Sequence, residues 1–202
     1  MDRSGIQRII PIVLVLIVVA LVIAALVSVS RSFFSGPSKT ATPTVNVGKE
    51  ALTSTLADRS VRMTFRGPIV ADEKFHSYTI TASPDMRNMT TYVGYLGQQV
   101  DSEQLTNNTQ AYEQLVYALD RANLMAGTPL SGAANDARGI CATGSVSEFE
   151  VSQGTNSVQK LWTSSCRGAV GSLKANVSQV TRLFQVQIPD FAKLQSKISL
   201  SS

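Results

Sequence analysis

The sequence predicts an α+β protein: a single N-terminal transmembrane helix, then an antiparallel-sheet domain with two helices packed on one face. Three observations predict it. Ile9 to Ser30 is a run of 22 residues without a charge. Val61 to Arg66 alternates apolar and polar side chains with the period of a strand, and Tyr112 to Ala122 repeats its apolar residues with the period of a helix.

The uncharged run makes a helix of about 33 Å at 1.5 Å per residue, enough to cross a ~30 Å hydrocarbon core. Pro11 falls in its first turn, where a missing N–H costs nothing. The run exceeds a secretory h-region, and Val27-Ser28-Val29 is a poor cleavage site, so an uncleaved anchor is predicted. The only cysteines are Cys141 and Cys166, far from the run, which excludes a lipoprotein anchor. Arg3 and Arg8 before the span are matched by Arg31, Lys39 and Lys49 after it, so basic residues alone do not orient it. The head, residues 1–8, has no room for a domain. Residues 9–30 are therefore expected in the lipid bilayer, residues 31–47 in a stalk, and residues 48–202 in an extracytoplasmic α+β domain. Ser35 to Asn46, rich in Ser, Thr and Pro, has the composition of such a stalk.

The formal charge of +4 suggests a basic protein until the anchor is set aside. Of 18 basic and 14 acidic side chains, Arg3, Arg8, Arg31 and Asp2 flank the span, which leaves the remainder close to neutral. Without a basic stripe there is no electrostatic footprint for nucleic acid.

Along the exported part, Gly48 to Asp58 is expected to hold a short helix through Leu52 and Leu56. Val61, Met63 and Phe65 alternate with Arg62, Thr64 and Arg66 in a half-buried strand that Gly67-Pro68 ends. Phe75 to Ala82 and Met89 to Leu96 are two more strands, joined as a hairpin by Ser83-Pro84-Asp85. Asn107-Asn108-Thr109 offers caps to a helix running to about Ala126, with Tyr112, Leu115, Val116, Leu119 and Ala122 on its apolar face. A long loop over Thr128 to Gly139 precedes two strands, Ile140 to Val151 and Asn156 to Arg167. Asn176 then caps a helix carrying Val177, Val180, Phe184 and Ile188, and Phe191, Leu194 and Ile198 mark a short terminal one. Hairpin, loop and helix occur in that order twice, as a duplicated ββα unit would arrange them.

Cys141 and Cys166 lie in the two predicted late strands. With the turn at Gln153-Gly154, the pairing sets Cys141 opposite Cys166, Phe149 opposite Val158 and Ser145 opposite Trp162. Directly opposite residues have Cα atoms about 4.5–5.5 Å apart, which suits a disulfide and an oxidising compartment. That pair is what places the C-terminal domain outside the membrane.

No nucleophile elbow, zinc-binding helix, phosphate loop or dinucleotide fingerprint is present, so no catalytic, cofactor or metal set is predicted. His76, the single histidine, shares a strand face with Tyr78 and Ile80 and reads as a structural imidazole. Asp72-Glu73 and the same-face pair Glu148 and Glu150 read as surface charge. Tyr92, Tyr95 and Tyr117 are the candidate ligand surface, Tyr117 because it lies off the apolar phase of its helix. The expected function is a membrane-anchored, non-enzymatic binding domain of the cell envelope with a protein or envelope partner. The alternatives are an envelope hydrolase using carboxylates, and a pilin-like filament or export subunit. Against the latter, the position five residues after Gly5 is Ile10 rather than glutamate.

Overall fold

A computed structural model describes residues 46–198. The predicted span at residues 9–30 and nearly all of the predicted stalk lie outside these residues; among the described residues no helix is long and apolar enough to cross a membrane. The described chain runs α1 (Val47–Thr53), β1 (Arg59–Arg66), β2 (His76–Ala82), β3 (Met86–Val93), β4 (Gln98–Thr106), α2 (Thr109–Arg121), β5 (Val146–Gln153), β6 (Asn156–Ser164), α3 (Val177–Gln185) and α4 (Phe191–Lys197). The α+β class is as expected. All six strands form one antiparallel sheet in the order β4-β3-β2-β1-β5-β6.

The period-two alternation of β1 organises both faces. Val61, Met63 and Phe65 stand opposite Ala82, Ile80 and Tyr78 of β2, and Val61 and Met63 stand opposite Val151 and Phe149 of β5. These residues, with Met89 of β3 and Leu161 of β6, make one apolar cluster with Leu52, Tyr112, Leu119, Phe184 and Leu194 of the four helices. Each fully buried side chain of this size contributes on the order of 1.5–3 kcal/mol. The other face carries Arg62, Thr64 and Arg66, and its charges pair across strands. Arg62 meets Glu150 at 3.7 Å, Lys160 meets Glu148 at 3.3 Å, and Arg66 is ion-paired with the same Glu148.

Helix starts follow the expected chemistry. Asn108 accepts from the Ala111 N–H at 2.9 Å and Asn176 from the Gln179 N–H at 3.1 Å. Asn46, assigned to the stalk by composition, caps α1 and donates to the Met125 carbonyl at 3.0 Å. Helix α2 ends earlier than Gly127, because Asn123 enters the left-handed region at φ 59° and the Leu124 N–H closes on the Leu119 carbonyl. Val180, Phe184 and Ile188 are buried as the helical reading of that segment requires.

Four expectations are corrected. Strand β4 was not predicted: Gln98–Thr106 is an edge strand whose exposed and half-buried residues are mostly polar on both sides, so it has no apolar alternation to read. Strand β3 begins at Met86, directly after the Ser83 turn, three residues before the predicted start. The β5–β6 register differs because the turn centres on Gly154-Thr155, where Gly154 has φ 55°, and a bulge follows at Val151/Ser152. Phe149 therefore faces Leu161 rather than Val158, and Trp162 faces Glu148 rather than Ser145. Finally, β1 and β4 have no counterparts in the second half, and β1 separates the two hairpins in the sheet, so the halves are unequal.

Tyr112 is fully buried and its hydroxyl has no protein hydrogen-bond partner. Burial raises its pKa above the ordinary tyrosine value, the Arg59 charge opposing in part. A folded-state pKa above the unfolded one gives stability that is complete below about pH 10 and lost as pH rises further, since the unfolded chain releases the proton first. Tyr112→Phe is expected to change stability by less than about 0.5 kcal/mol at neutral pH. Between pH 9 and 11 the variant should lose about 1.4 kcal/mol less than the parent in denaturant titrations. Superimposable pH profiles would contradict the burial argument.

Candidate functional site

The connection from α2 to β5 does not stay on the helical side of the sheet. Ala137 and Cys141, within it, pack against Val146 and Trp162, with Ile140 and Cys166 beside them. Val146 pairs with Arg66, and Trp162 with Glu148, so this second cluster sits on the charged face. The disulfide Cys141–Cys166 holds the connection there, with Cα atoms 5.5 Å apart. The predicted bond is thus present, in a different setting: both cysteines lie in loops beyond the strand ends, not opposite one another in a ladder. Gly144 allows the close approach, since a Cβ there would stand 2.2 Å from Ser165 Oγ and 2.8 Å from Cys141 Sγ.

Where this loop meets the ends of β1 and β3 it leaves a cleft of about 280 Å³. Arg66 and Gly67 come from the end of β1, Ile69 and Phe75 from the β1–β2 connection, and Tyr95 from the β3–β4 turn. Ala137, Arg138, Gly139, Cys141 and Val146 complete the lining from the disulfide loop and the start of β5. The Ile69 N–H donates to the Ala142 carbonyl at 2.9 Å, joining the two walls.

Tyr95 is held by three contacts. Its ring stacks on the buried Phe75 with centroids 4.3 Å apart and planes at 19°. Its hydroxyl donates to the Val70 carbonyl at 2.5 Å, and its backbone N–H donates to Asp72 Oδ1 at 2.7 Å. The residue before it, Gly94, has φ 75° and lies against the Asp72 carboxylate, a conformation and a closeness that a side chain would strain. Tyr95 nonetheless keeps 49% of its surface exposed.

The opposite wall is charged. Arg138 donates from Nε and Nη2 to both oxygens of Asp136, at 2.6–3.1 Å. That fork holds the Asp136 carboxyl well below the usual carboxylate range, and it raises Arg138 in turn. Arg66 is pulled below the ordinary guanidinium value, first by burial and then by the neighbouring Arg138 charge, with Asp136 opposing. The acids near the cleft all have partners: Asp136 is paired with Arg138, Glu148 with Arg66 and Lys160, and Asp72 accepts from the Tyr95 N–H.

Of the three candidate tyrosines, Tyr95 lines the cleft. Tyr92 stands in the same cross-sheet row as Ser77 and Arg66, two strands from the latter. Tyr117 lies apart from them, exposed on helix α2. Arg66 and Arg138 were not singled out from sequence; the only available signal was that Arg66 closes an alternating strand just before Gly67-Pro68. Glu148 and Glu150 share one strand face as expected, but Glu148 is buried in the ion-pair row. His76 is half-buried at the start of β2. The asparagines of the Asn-x-Ser/Thr triplets at 88, 107 and 176 have internal uses: Asn107 donates to the Ser83 carbonyl at 2.6 Å, Asn88 to the Glu103 carbonyl at 3.3 Å, and Asn176 caps α3. Among the described residues no group of three or more His, Cys, Asp or Glu is arranged to hold a metal. Comparison with protein-family models and with curated proteins finds no match to this chain.

The disulfide closes a loop of 25 residues' separation, for which chain entropy gives roughly 3.5 kcal/mol. Peptide mapping without reductant should link Cys141 to Cys166, and the double variant Cys141→Ser/Cys166→Ser should lose stability of about that size. Gly144→Ala should weaken the fold by at least 1 kcal/mol through the same contacts, measured by the denaturant midpoint. An unchanged midpoint in both would show that the loop is held by other means.

Proposed function

We propose that the chain is a single-pass membrane protein whose exported domain binds a partner in the cell envelope through the Arg66, Tyr95 and Arg138 cleft, as a binding module rather than an enzyme. The observation that carries this reading is the way the Tyr95 ring is held. Exposed tyrosines ordinarily lose rotamer freedom on binding, and one already stacked and bonded at both ends binds without that cost. Tyr and Arg are also the residues that dominate binding interfaces when they border an apolar pocket. The uncharged run Ile9 to Ser30 supports the tether, and the disulfide supports an oxidising compartment.

Two measurements test the proposal in cells carrying the full chain. A photoreactive phenylalanine analogue at position 95 should form discrete cross-linked adducts, whereas the same group at position 117 should not. Equal yields at both positions, or adducts from 117 alone, would overturn the assignment of the surface. Protease added to spheroplasts should cut within residues 35–46; complete protection would reverse the orientation.

A further inference from the structure

Resting on the reading of this cleft as a binding site, we propose that it takes a small apolar carboxylate, about the size of one large hydrophobic amino-acid residue. Three features of the lining select that class. The first is size: about 280 Å³ accommodates a phenyl or branched aliphatic group with one acid function, not an extended chain in full. The second is the body of the cleft. Ile69, Phe75, Val146 and the disulfide sulfur of Cys141 offer apolar surface, with the Tyr95 ring as one wall. A sugar ring would bring several hydroxyls to that surface with few partners for them, and burying unpaired hydroxyls is unfavourable.

The third feature is charge. The two charged side chains that line the cleft, Arg66 and Arg138, are both cationic, and no carboxylate stands in the lining. An anionic ligand complements that lining, and a cationic one is opposed by it. Arg138 is the group positioned to meet that anion. Its fork to Asp136 uses Nε and Nη2, so the two N–H groups of Nη1 are left to a second acceptor. Asp136 thereby fixes the orientation of the guanidinium in advance. Arg66, withdrawn into the wall and paired with Glu148, contributes field rather than a free donor. The acid function is thus expected at the Arg138 rim, with the apolar group between Tyr95 and the disulfide.

The test uses the full chain in non-ionic detergent, with ligand-observed saturation-transfer NMR. The probes are N-acetyl-phenylalanine, N-acetyl-phenylalaninamide, N-acetyl-aspartate and 3-phenylpropionate. N-acetyl-phenylalanine should bind about ten-fold or more tightly than its amide, and N-acetyl-aspartate, which lacks the apolar body, should not compete. Arg138→Ala should remove the preference for acid over amide. Its side chain is largely exposed and bonded to Asp136, so the fold is expected to persist, which the Cys141–Cys166 peptide map verifies. Equal binding of acid and amide, or an Arg138→Ala variant that keeps the preference, would overturn the proposal. Equal affinity for 3-phenylpropionate identifies a free organic acid as the source, and weaker affinity identifies the end of a polypeptide; both support the class. If no acid binds while position 95 still cross-links in cells, the ligand class fails and the binding surface stands. If both fail, the cleft is not the binding site.

Discussion

Strand β1 has neighbours on both sides, and every other feature of the domain depends on its alternation. Val61 and Met63 meet Ala82 and Ile80 of β2 on one side and Val151 and Phe149 of β5 on the other. A slip of one residue in either ladder would turn Arg62 or Glu150 toward the helices and expose Met63 or Phe149. The register is therefore fixed by the cost of burying those charges. With one face committed to the four helices, the other had to balance its own charge. Arg62 with the directly opposite Glu150, and Arg66 and Lys160 diagonally with Glu148, do so across β1, β5 and β6.

The charged face is not left uniformly open. Trp162 belongs to it by parity, and so large an apolar side chain needs a cover. The connection after α2 supplies that cover by bringing Ala137 and Cys141 onto it. On the outer edge of β6, the Ser172 and Leu173 N–H groups close on the Trp162 carbonyl at 2.9 and 3.0 Å. Chain that crosses from one face to the other must pass the end of the sheet, and loops gathered there cannot pack as densely as strands. The cleft between Tyr95 and Arg138 follows from that crossing, with the disulfide keeping its outer wall in place.

Much of the fold was legible because its burial pattern was regular. The alternation of Val61 to Arg66 and the helical phase of Tyr112, Leu115, Val116 and Leu119 both survive intact, all four of these helix residues being buried. Strand β4 was illegible because it lies at the edge, where one side has no neighbouring strand and polar residues meet water on both faces. The disulfide was legible from cysteine count and spacing, yet the register used to reach it was not the actual one. Two loops beyond the strand ends bring Cys141 and Cys166 just as close as a ladder pair, so distance in sequence left the geometry open. Of the cleft, only Tyr95 and Cys141 were visible beforehand. Arg66 looked like the polar half of a strand and Arg138 like loop charge; what joins them is the path of the chain across the sheet, which no local spacing encodes.

Two tyrosines exposed to the same degree are held very differently. Tyr95 and Tyr117 are exposed to nearly the same degree, 49% and 47%. Tyr117 stands on the solvent side of α2, as the helical phase dictates for a residue off the apolar stripe. Tyr95 instead has a ring beneath it, a carbonyl at its hydroxyl, a carboxylate at its N–H, and a glycine before it that admits that carboxylate. The β3–β4 turn itself closes with the Gly97 N–H on the Gly94 carbonyl, a bond in which the Tyr95 side chain takes no part. Ordering an exposed aromatic to this extent opposes conformational entropy with little burial in return. The binding role proposed for Tyr95 rests on that difference from Tyr117.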